Sequence, residues 1–212
     1  MINRLFIVFL IFSTSQAAFA NLLKTKNGSK QIAEVTLAES AVWTLAGKSQ
    51  NLKMVSAGLR TKKVVFVNVS VYVAEWFVSS TAPWAQSIVN LKNLAPVVMR
   101  MTFLRDIEAP KIESAFRESL VANKIDLTEP PFKVFLKAFL ENGDIKKKSS
   151  MTLAGHFEPD GSEVLSFEST SNKVTEIKGT SGFLQKIYSI WFGESADSGL
   201  ADLKKALLEP AK

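Results

Sequence analysis

Alternating apolar and polar positions predict β-strands along much of the chain. The clearest pattern covers residues 64–78, where valine stands at every second position from Val65 to Val73. Successive side chains of a strand point to opposite faces, so the valine face is predicted to be buried core. The other face mixes aromatic, amide and hydroxyl groups and is predicted either to be core or to line a ligand pocket. Shorter strands are predicted over residues 32–37, 41–45, 52–59, 97–103, 150–157, 163–167 and 174–178.

Helical periodicity becomes prominent in the second half of the chain. Helices are predicted over residues 83–91, 106–123, 130–142, 181–192 and 197–208. The aromatic stripe between residues 132 and 140 is typical of helix packing, so it is interpreted as core. Strands interspersed with helices, without a repeat or a linker, predict one α+β domain: a mainly antiparallel sheet with helices packed on one face.

The N-terminus has the pattern of a secretory leader. Arg4 precedes an apolar run over residues 5–12, and Ala18-Phe19-Ala20 forms an A-x-A cleavage site. That run is too short to span a bilayer, which takes about 20 residues. The predicted organisation is therefore a signal peptide (1–20), a loose polar lead-in (21–40) and the domain proper (41–208), in the periplasm or outside the cell and without a stable membrane anchor.

Composition excludes several kinds of chemistry. The chain has no cysteine and a single histidine, which rules out disulfides, thiolate metal sites and a histidine-based zinc site. That histidine, His156, is interpreted as structural. No phosphate loop, nucleotide fingerprint or metal motif occurs, so neither a cofactor nor a metal is predicted. The net charge of +6 is spread over short basic runs such as Lys62-Lys63, which predicts solvated turns and no nucleic-acid binding.

Four motifs in order resemble the chalcone isomerase-like superfamily. They lie at residues 56–60 (SAGLR), 69–77 (VSVYVAEWF), 101–107 (MTFLRDI) and 189–194 (SIWFGE), and the likeness extends from about residue 41 to 208. They are similar to the patterns G-x-G-x-R-x-K, K-V-Y-V-A-x-L-Y, F-x-R-D-V and I-W-L-G-x of the secreted bacterial branch. Phe77 departs from that pattern, in which a second tyrosine stands at this place.

The resemblance implies a ligand site. Non-catalytic members of the superfamily bind fatty acids and hold the carboxylate with an arginine and a tyrosine, whose places are taken here by Arg60 and Tyr72. The isomerases instead need a tyrosine, a lysine and an asparagine on the following helix, where this chain has Ile112, Ala115 and Ser119. The resemblance therefore implies a binding protein and not an enzyme.

An arginine fork with a tyrosine hydroxyl suits a buried carboxylate, which needs a charge partner and hydrogen bonds. Without the resemblance, an ion pair between Arg60 and an acidic residue of the chain is the simpler interpretation. Twelve positions of straight strand would separate Arg60 from Tyr72 by about 40 Å. The two can meet only if the chain turns back between them, and residues 61–63 are the predicted place.

Three functions remain open. The first is a periplasmic module that binds a fatty acid or a similar apolar anion without catalysis. The second is an isomerase of the chalcone type, and the third is an envelope domain that contacts proteins and binds no ligand. The ligand and the oligomeric state are not determined by the sequence.

Overall fold

Eight strands form one antiparallel sheet, in which every strand pairs with its neighbours in the sequence. The computed structural model describes residues 21–79 and 88–210; the predicted signal peptide lies outside them. The strands are β1 (Leu23–Ile32), β2 (Val35–Leu45), β3 (Lys48–Val64), β4 (Val67–Val78), β5 (Val97–Phe103), β6 (Ser150–Phe157), β7 (Glu163–Glu168) and β8 (Val174–Gly179).

Four α-helices follow in the second half of the chain: α1 (Ala109–Ala122), α2 (Pro130–Glu141), α3 (Phe183–Phe192) and α4 (Ser198–Leu207). A 3₁₀ segment, Ile88–Asn93, contains the end of the helix predicted over 83–91, whose beginning lies outside the described residues. Helix α1 begins later than predicted because Ile107 forms a β-bridge with Ile145, and Pro110 then stands in the first helical turn. The predicted α+β class with an antiparallel sheet is confirmed.

Both faces of the sheet are covered. The helices bury one face in a large aromatic and aliphatic core, to which Trp76, Phe103 and Trp191 belong. The other face is covered by the sheet itself, because side chains of β1–β3 pack against residues of β4–β6 in a second cluster. The backbone N–H of Leu22, just before β1, donates to Glu168 Oε1 of β7 at 3.0 Å, so the sheet curls over its own middle strands.

The first 20 described residues differ from the prediction. The polar segment predicted as a loose lead-in forms strand β1, and the strand predicted over 32–37 contains a hairpin turn at Ala33-Glu34. Strand β1 lies at the edge of the sheet and leaves most of its side chains exposed. Backbone pairing with β2 holds most of its length in place, and Leu23 is its one buried side chain, so polarity does not alternate along it.

The strand predicted over 64–78 is also divided by a turn. Val65 and Phe66 form a two-residue hairpin turn between β3 and β4. The prediction of a buried valine face is wrong near the turn, where Val65 is 78% exposed, and correct at Val73, which is fully buried. Only the second half of β4 is buried among other elements, so the hairpin projects as an exposed arm.

A buried carboxylate lies on the second face of the sheet. Glu75 is fully buried; it accepts the Ala38 backbone N–H at 2.7 Å and a hydrogen bond from Arg100 Nη1 at 3.3 Å. Burial raises the pKa of Glu75, and the Arg100 charge and the Ala38 hydrogen bond offset part of this effect.

This raised pKa predicts a pH dependence of stability. The folded chain keeps the Glu75 proton to a higher pH than the unfolded chain does. The protonated carboxyl therefore contributes its full stabilisation of the fold below the unfolded pKa, and this contribution decreases as pH rises above about 4.5. Urea titrations give the free energy of unfolding of the wild type and of Glu75→Gln. The wild-type value minus the variant value should therefore fall as pH rises from 4 to 7. Glu141→Gln is the opposite control, because its pKa is lowered by Lys137. A difference that rises with pH at Glu75 would contradict the prediction.

Candidate functional site

The hairpin turn brings Arg60 and Tyr72 side by side. They are directly paired residues of β3 and β4, although twelve positions separate them in sequence. The turn that joins them lies at Val65-Phe66, further along the chain than the predicted 61–63. Both side chains are nearly buried, with 7% of Arg60 and 5% of Tyr72 exposed.

A β-bulge lies immediately beside this pair. Arg60 pairs with Tyr72 and Thr61 pairs with Ser70, so Val71 is an extra residue in β4. A bulge bends the strand and redirects its side chains. As a result, Val71 and Tyr72 both contact the core on the helical face, although neighbouring strand residues normally face opposite ways.

The guanidinium of Arg60 is neutralised within the chain. Its Nη2 lies 2.6 Å from Asp197 Oδ2, and its Nη1 donates to the carbonyl oxygen of Thr61. Asp197 also caps helix α4, because Oδ1 accepts the Leu200 backbone N–H at 2.9 Å. Burial acts to raise the pKa of Asp197, but the hydrogen bonds from Arg60 and Leu200 hold it below its ordinary value. Arg60 thus attaches the start of α4 to β3.

The Tyr72 hydroxyl is buried against helix α3. It accepts a hydrogen bond from Trp191 Nε1 at 3.1 Å, and its ring packs edge-on against Phe103 with centroids 5.6 Å apart. Burial raises the pKa of Tyr72, while the Arg60 charge and the Trp191 hydrogen bond act in the opposite direction. Because this hydroxyl accepts from Trp191, its own proton can still be donated to an anion.

Replacing Tyr72 with phenylalanine should destabilise the fold by about 1–3 kcal/mol, because the buried Trp191 N–H loses its acceptor. Urea unfolding measures this change. Tyr188→Phe is the matched control: its hydroxyl donates to the carbonyl oxygens of Val97 and Leu153, so removing it leaves no buried donor unpaired and should cost less. An equal cost for the two variants would contradict the interpretation.

A groove lies between the hairpin arm and helix α1. Its volume is about 690 Å³, within the range of small-molecule sites. Its apolar lining consists of Val64, Val69, Val71, Ile107, Ile112, Ala115 and Ile145. Its polar lining consists of Lys62, Arg105, Asp106, Glu108, Lys111, Ser114, Glu118, Asp144 and Lys146.

Arg60 and Tyr72 do not line this groove but lie next to it. Val71, which lines the groove, directly precedes Tyr72, and Lys62 follows Arg60 by two residues. One residue of strand spans about 3.3 Å, so the groove and the Arg60–Tyr72 pair are adjacent parts of one region.

Two of the three positions compared with the isomerases face the groove. Ile112 and Ala115 line it, whereas Ser119 is buried and donates to the Ala115 carbonyl oxygen at 2.8 Å. None of these side chains is an ionisable group that could transfer a proton to a ligand there.

The remaining sequence candidate, His156, packs against other side chains of the domain. His156 Nε2 lies 3.3 Å from Glu158 Oε1, and its ring packs against Trp43 with centroids 5.4 Å apart. Within residues 21–79 and 88–210, no group of three or more acidic or histidine side chains is placed to hold a metal ion. No helix in the same part of the chain is long and apolar enough to cross a membrane.

A curled antiparallel sheet with a layer of helices on one face is the architecture of a chalcone isomerase-like domain. The chain belongs to the chalcone isomerase-like family, whose profile matches residues 29–209. The recognition from the four sequence motifs is confirmed at the level of the family.

Among solved structures, the fold is similar to that of the fatty-acid binding protein AtFAP1 of Arabidopsis thaliana. The TM-score is 0.54 and the identity 17%, over 80% of this chain and 96% of that one. None of the curated proteins matches the chain.

Two partners of the pair were not predicted from the sequence. The sequence identifies Asp197 as the start of the last helix, and Trp191 as part of a motif and of an apolar helix face, but gives neither a contact with the hairpin. Asp197 contacts Arg60 and Trp191 contacts Tyr72, although more than 100 sequence positions separate the two members of each pair. No local pattern signals such a long-range contact.

Proposed function

We propose that this chain binds a fatty acid or a similar apolar carboxylate in the groove beside the hairpin, without catalysing a reaction. The observation that carries the proposal is the placement of a groove with a partly apolar lining next to a buried arginine and tyrosine. A fatty acid needs apolar walls for its alkyl chain and a charged donor for its carboxylate, and the two lie in neighbouring parts of the structure here. The N-terminal sequence supports periplasmic binding after removal of residues 1–20.

Arg60 and Tyr72 are proposed to hold the carboxylate. The arginine fork offers further N–H groups besides those used by Asp197 and Thr61, and the tyrosine offers its proton. A ligand carboxylate must share Arg60 with Asp197 or displace it. Family membership and the likeness to AtFAP1, which is described as fatty-acid binding, agree with the proposal.

The absence of catalysis is part of the proposal. Ile112, Ala115 and Ser119 supply at most one hydroxyl, and that hydroxyl is bonded to the helix backbone. Cyclisation of a chalcone by the purified chain, faster than in buffer alone, would refute this part.

A second candidate function follows from the ion pair itself. Arg60 is already neutralised by Asp197, and in this candidate function the role of the pair is solely to fix α4 on β3. The domain would then bind no ligand and act as an envelope domain that contacts other proteins. Ligand binding by the purified chain distinguishes the two candidates.

The direct test is to fill the groove. Ala115 is half-buried on its α1 wall, and Ala115→Trp should weaken the affinity for a fluorescent fatty acid, such as cis-parinaric acid, by about tenfold or more. Ala201→Trp, at an exposed position of α4, is the matched control and should bind like the wild type. If the wild type does not bind the probe, or if both variants bind it equally, the groove is not the site.

A further inference from the structure

The tip of the β3–β4 hairpin exposes four consecutive apolar residues. Val64 is 50% exposed, Val65 78%, Phe66 90% and Val67 65%. The flanking Lys62, Lys63 and Asn68 are also exposed, so the whole tip stands in solvent. A contiguous apolar surface bordered by polar residues marks a contact site, whereas single exposed apolar residues need no explanation.

Turn stability does not account for these residues. The three hairpins among β1–β4 all have two-residue turns, formed by Ala33-Glu34, Ala46-Gly47 and Val65-Phe66. All three begin at positive φ, which is +56° at Val65. Such turns favour Asn-Gly, and positive φ is particularly unfavourable for a β-branched residue. Only the third turn combines this conformation with two large apolar side chains, so a role outside the fold is the better explanation.

Basic side chains flank the tip and lie at the base of the arm. In an antiparallel meander, the ends of β1, β3 and β5 and the starts of β2, β4 and β6 lie at the same end of the sheet, along the strand direction. The chain at this end of the sheet carries Lys62, Lys63, Arg105, Lys146, Lys147 and Lys148. Acidic residues lie there as well: Asp106 and Glu34 pair with Lys146 and Lys147, and Glu108 and Asp144 line the groove beside them. None of the ion pairs within residues 21–79 and 88–210 uses Lys62 or Lys63.

From this arrangement we infer that the hairpin tip docks the chain on an anionic lipid bilayer. The apolar residues 64–67 would enter the interfacial region, and the lysines would contact the anionic headgroups. Val64 and Val67 pair with each other, so the arm carries its own hydrogen bonds into the interface. A convex tip of four residues is small compared with the roughly 800 Å² per partner of a standard protein interface, while a bilayer needs no complementary pocket.

Docking would also place the groove near the bilayer, since Lys62 and Val64 belong both to the arm and to the groove lining. The inference nevertheless does not depend on the proposed function. It concerns the outer end of the hairpin, and vesicle binding is measured without a fatty acid.

A single-cysteine label tests insertion directly, because the natural chain has no cysteine. The mature chain with Val65→Cys, labelled with a nitrobenzoxadiazole dye, is mixed with vesicles of phosphatidylcholine and phosphatidylglycerol. A blue shift and a gain in fluorescence are expected. The same dye at Leu140→Cys, a 49% exposed position on α2, should not respond. An unchanged spectrum at Val65, or an equal response at both sites, would overturn the inference.

Co-sedimentation with the same vesicles separates the apolar and electrostatic contributions. Phe66→Ser should weaken binding about tenfold or more, whereas Leu140→Ser should not. Lys62→Gln with Lys63→Gln should weaken it by about fivefold per charge, and rising salt should act in the same way. Lys48→Gln with Lys53→Gln, in the first part of β3 and about 30–50 Å away along the strand, is the charge control. Failure of the wild type to bind, or equal binding by all variants, refutes docking on lipid and leaves the tip to a protein partner.

Discussion

An Arg60→Ala variant is expected to bind a fatty acid about 10²–10³-fold more weakly than the wild type, because losing one partner of a buried charge pair costs roughly 3–5 kcal/mol. In this variant the Asp197 carboxylate also remains beside the site and repels the ligand. Titration with a fluorescent fatty acid measures the affinity, and urea unfolding of the same sample measures stability. The free energy of unfolding should decrease by only about 2–3 kcal/mol, since the Asp197 side chain is 33% exposed and is partly resolvated.

The variant Asp197→Asn distinguishes two roles of Arg60, which are ligand binding and attachment of α4 to β3. Asparagine caps a helix as well as aspartate does, so the start of α4 should persist. The negative charge that competes for Arg60 is removed, so the affinity for fatty acid should rise, by about tenfold if the competition is worth about 1.4 kcal/mol. If Arg60 only attaches α4 to β3, both variants should lose stability and leave the affinity unchanged. That result would remove Arg60 from the binding site and favour the ligand-free candidate.

Gly199→Ala is expected to have the largest effect on stability. A Cβ atom at this position would lie 1.9 Å from the Thr61 carbonyl oxygen and 2.6 Å from Arg60 Nη1. The nearest obstacle is the backbone of β3, which cannot rotate away as a side chain can. Helix α4 must therefore move off the strand, and a loss of about 3 kcal/mol or more in the free energy of unfolding is expected from overpacking and from the broken ion pair.

Unfolding in urea measures the effect, with Ala201→Gly as a control for helix propensity two residues later on the exposed face. This control should cost about 1 kcal/mol or less. A Gly199→Ala variant as stable as the wild type would show that α4 and β3 do not pack as closely as described.

Whether an element could be predicted from the sequence depends on the contacts that hold it in place. Strands β4 to β7 were largely predicted because their side chains are buried and alternate or run apolar, and the long helices were predicted because each has one apolar face. Strand β1 was missed because backbone pairing at an edge leaves no trace in side-chain polarity. The turn at Val65-Phe66 was missed because its residues are apolar and are not typical of turns.

The candidate site divides in the same way. The motifs identified Arg60 and Tyr72, and the family membership that they predicted is confirmed. Their ligand role stays a prediction. The structure adds that the two residues are neighbours, that Arg60 pairs with Asp197 and Tyr72 with Trp191, and that a groove lies beside them.

By itself, the sequence determined the α+β class, the family and the absence of cysteine chemistry, because residue type and short-range periodicity are local properties. Only the tertiary structure decided that the apolar run 64–67 is exposed at a hairpin tip, and that Arg60 faces an acidic residue 137 positions away. A valine is core or surface according to whether another element covers it. An arginine attaches a helix to a strand or binds a ligand according to which carboxylate reaches it. Both depend on contacts that form only when the chain has folded.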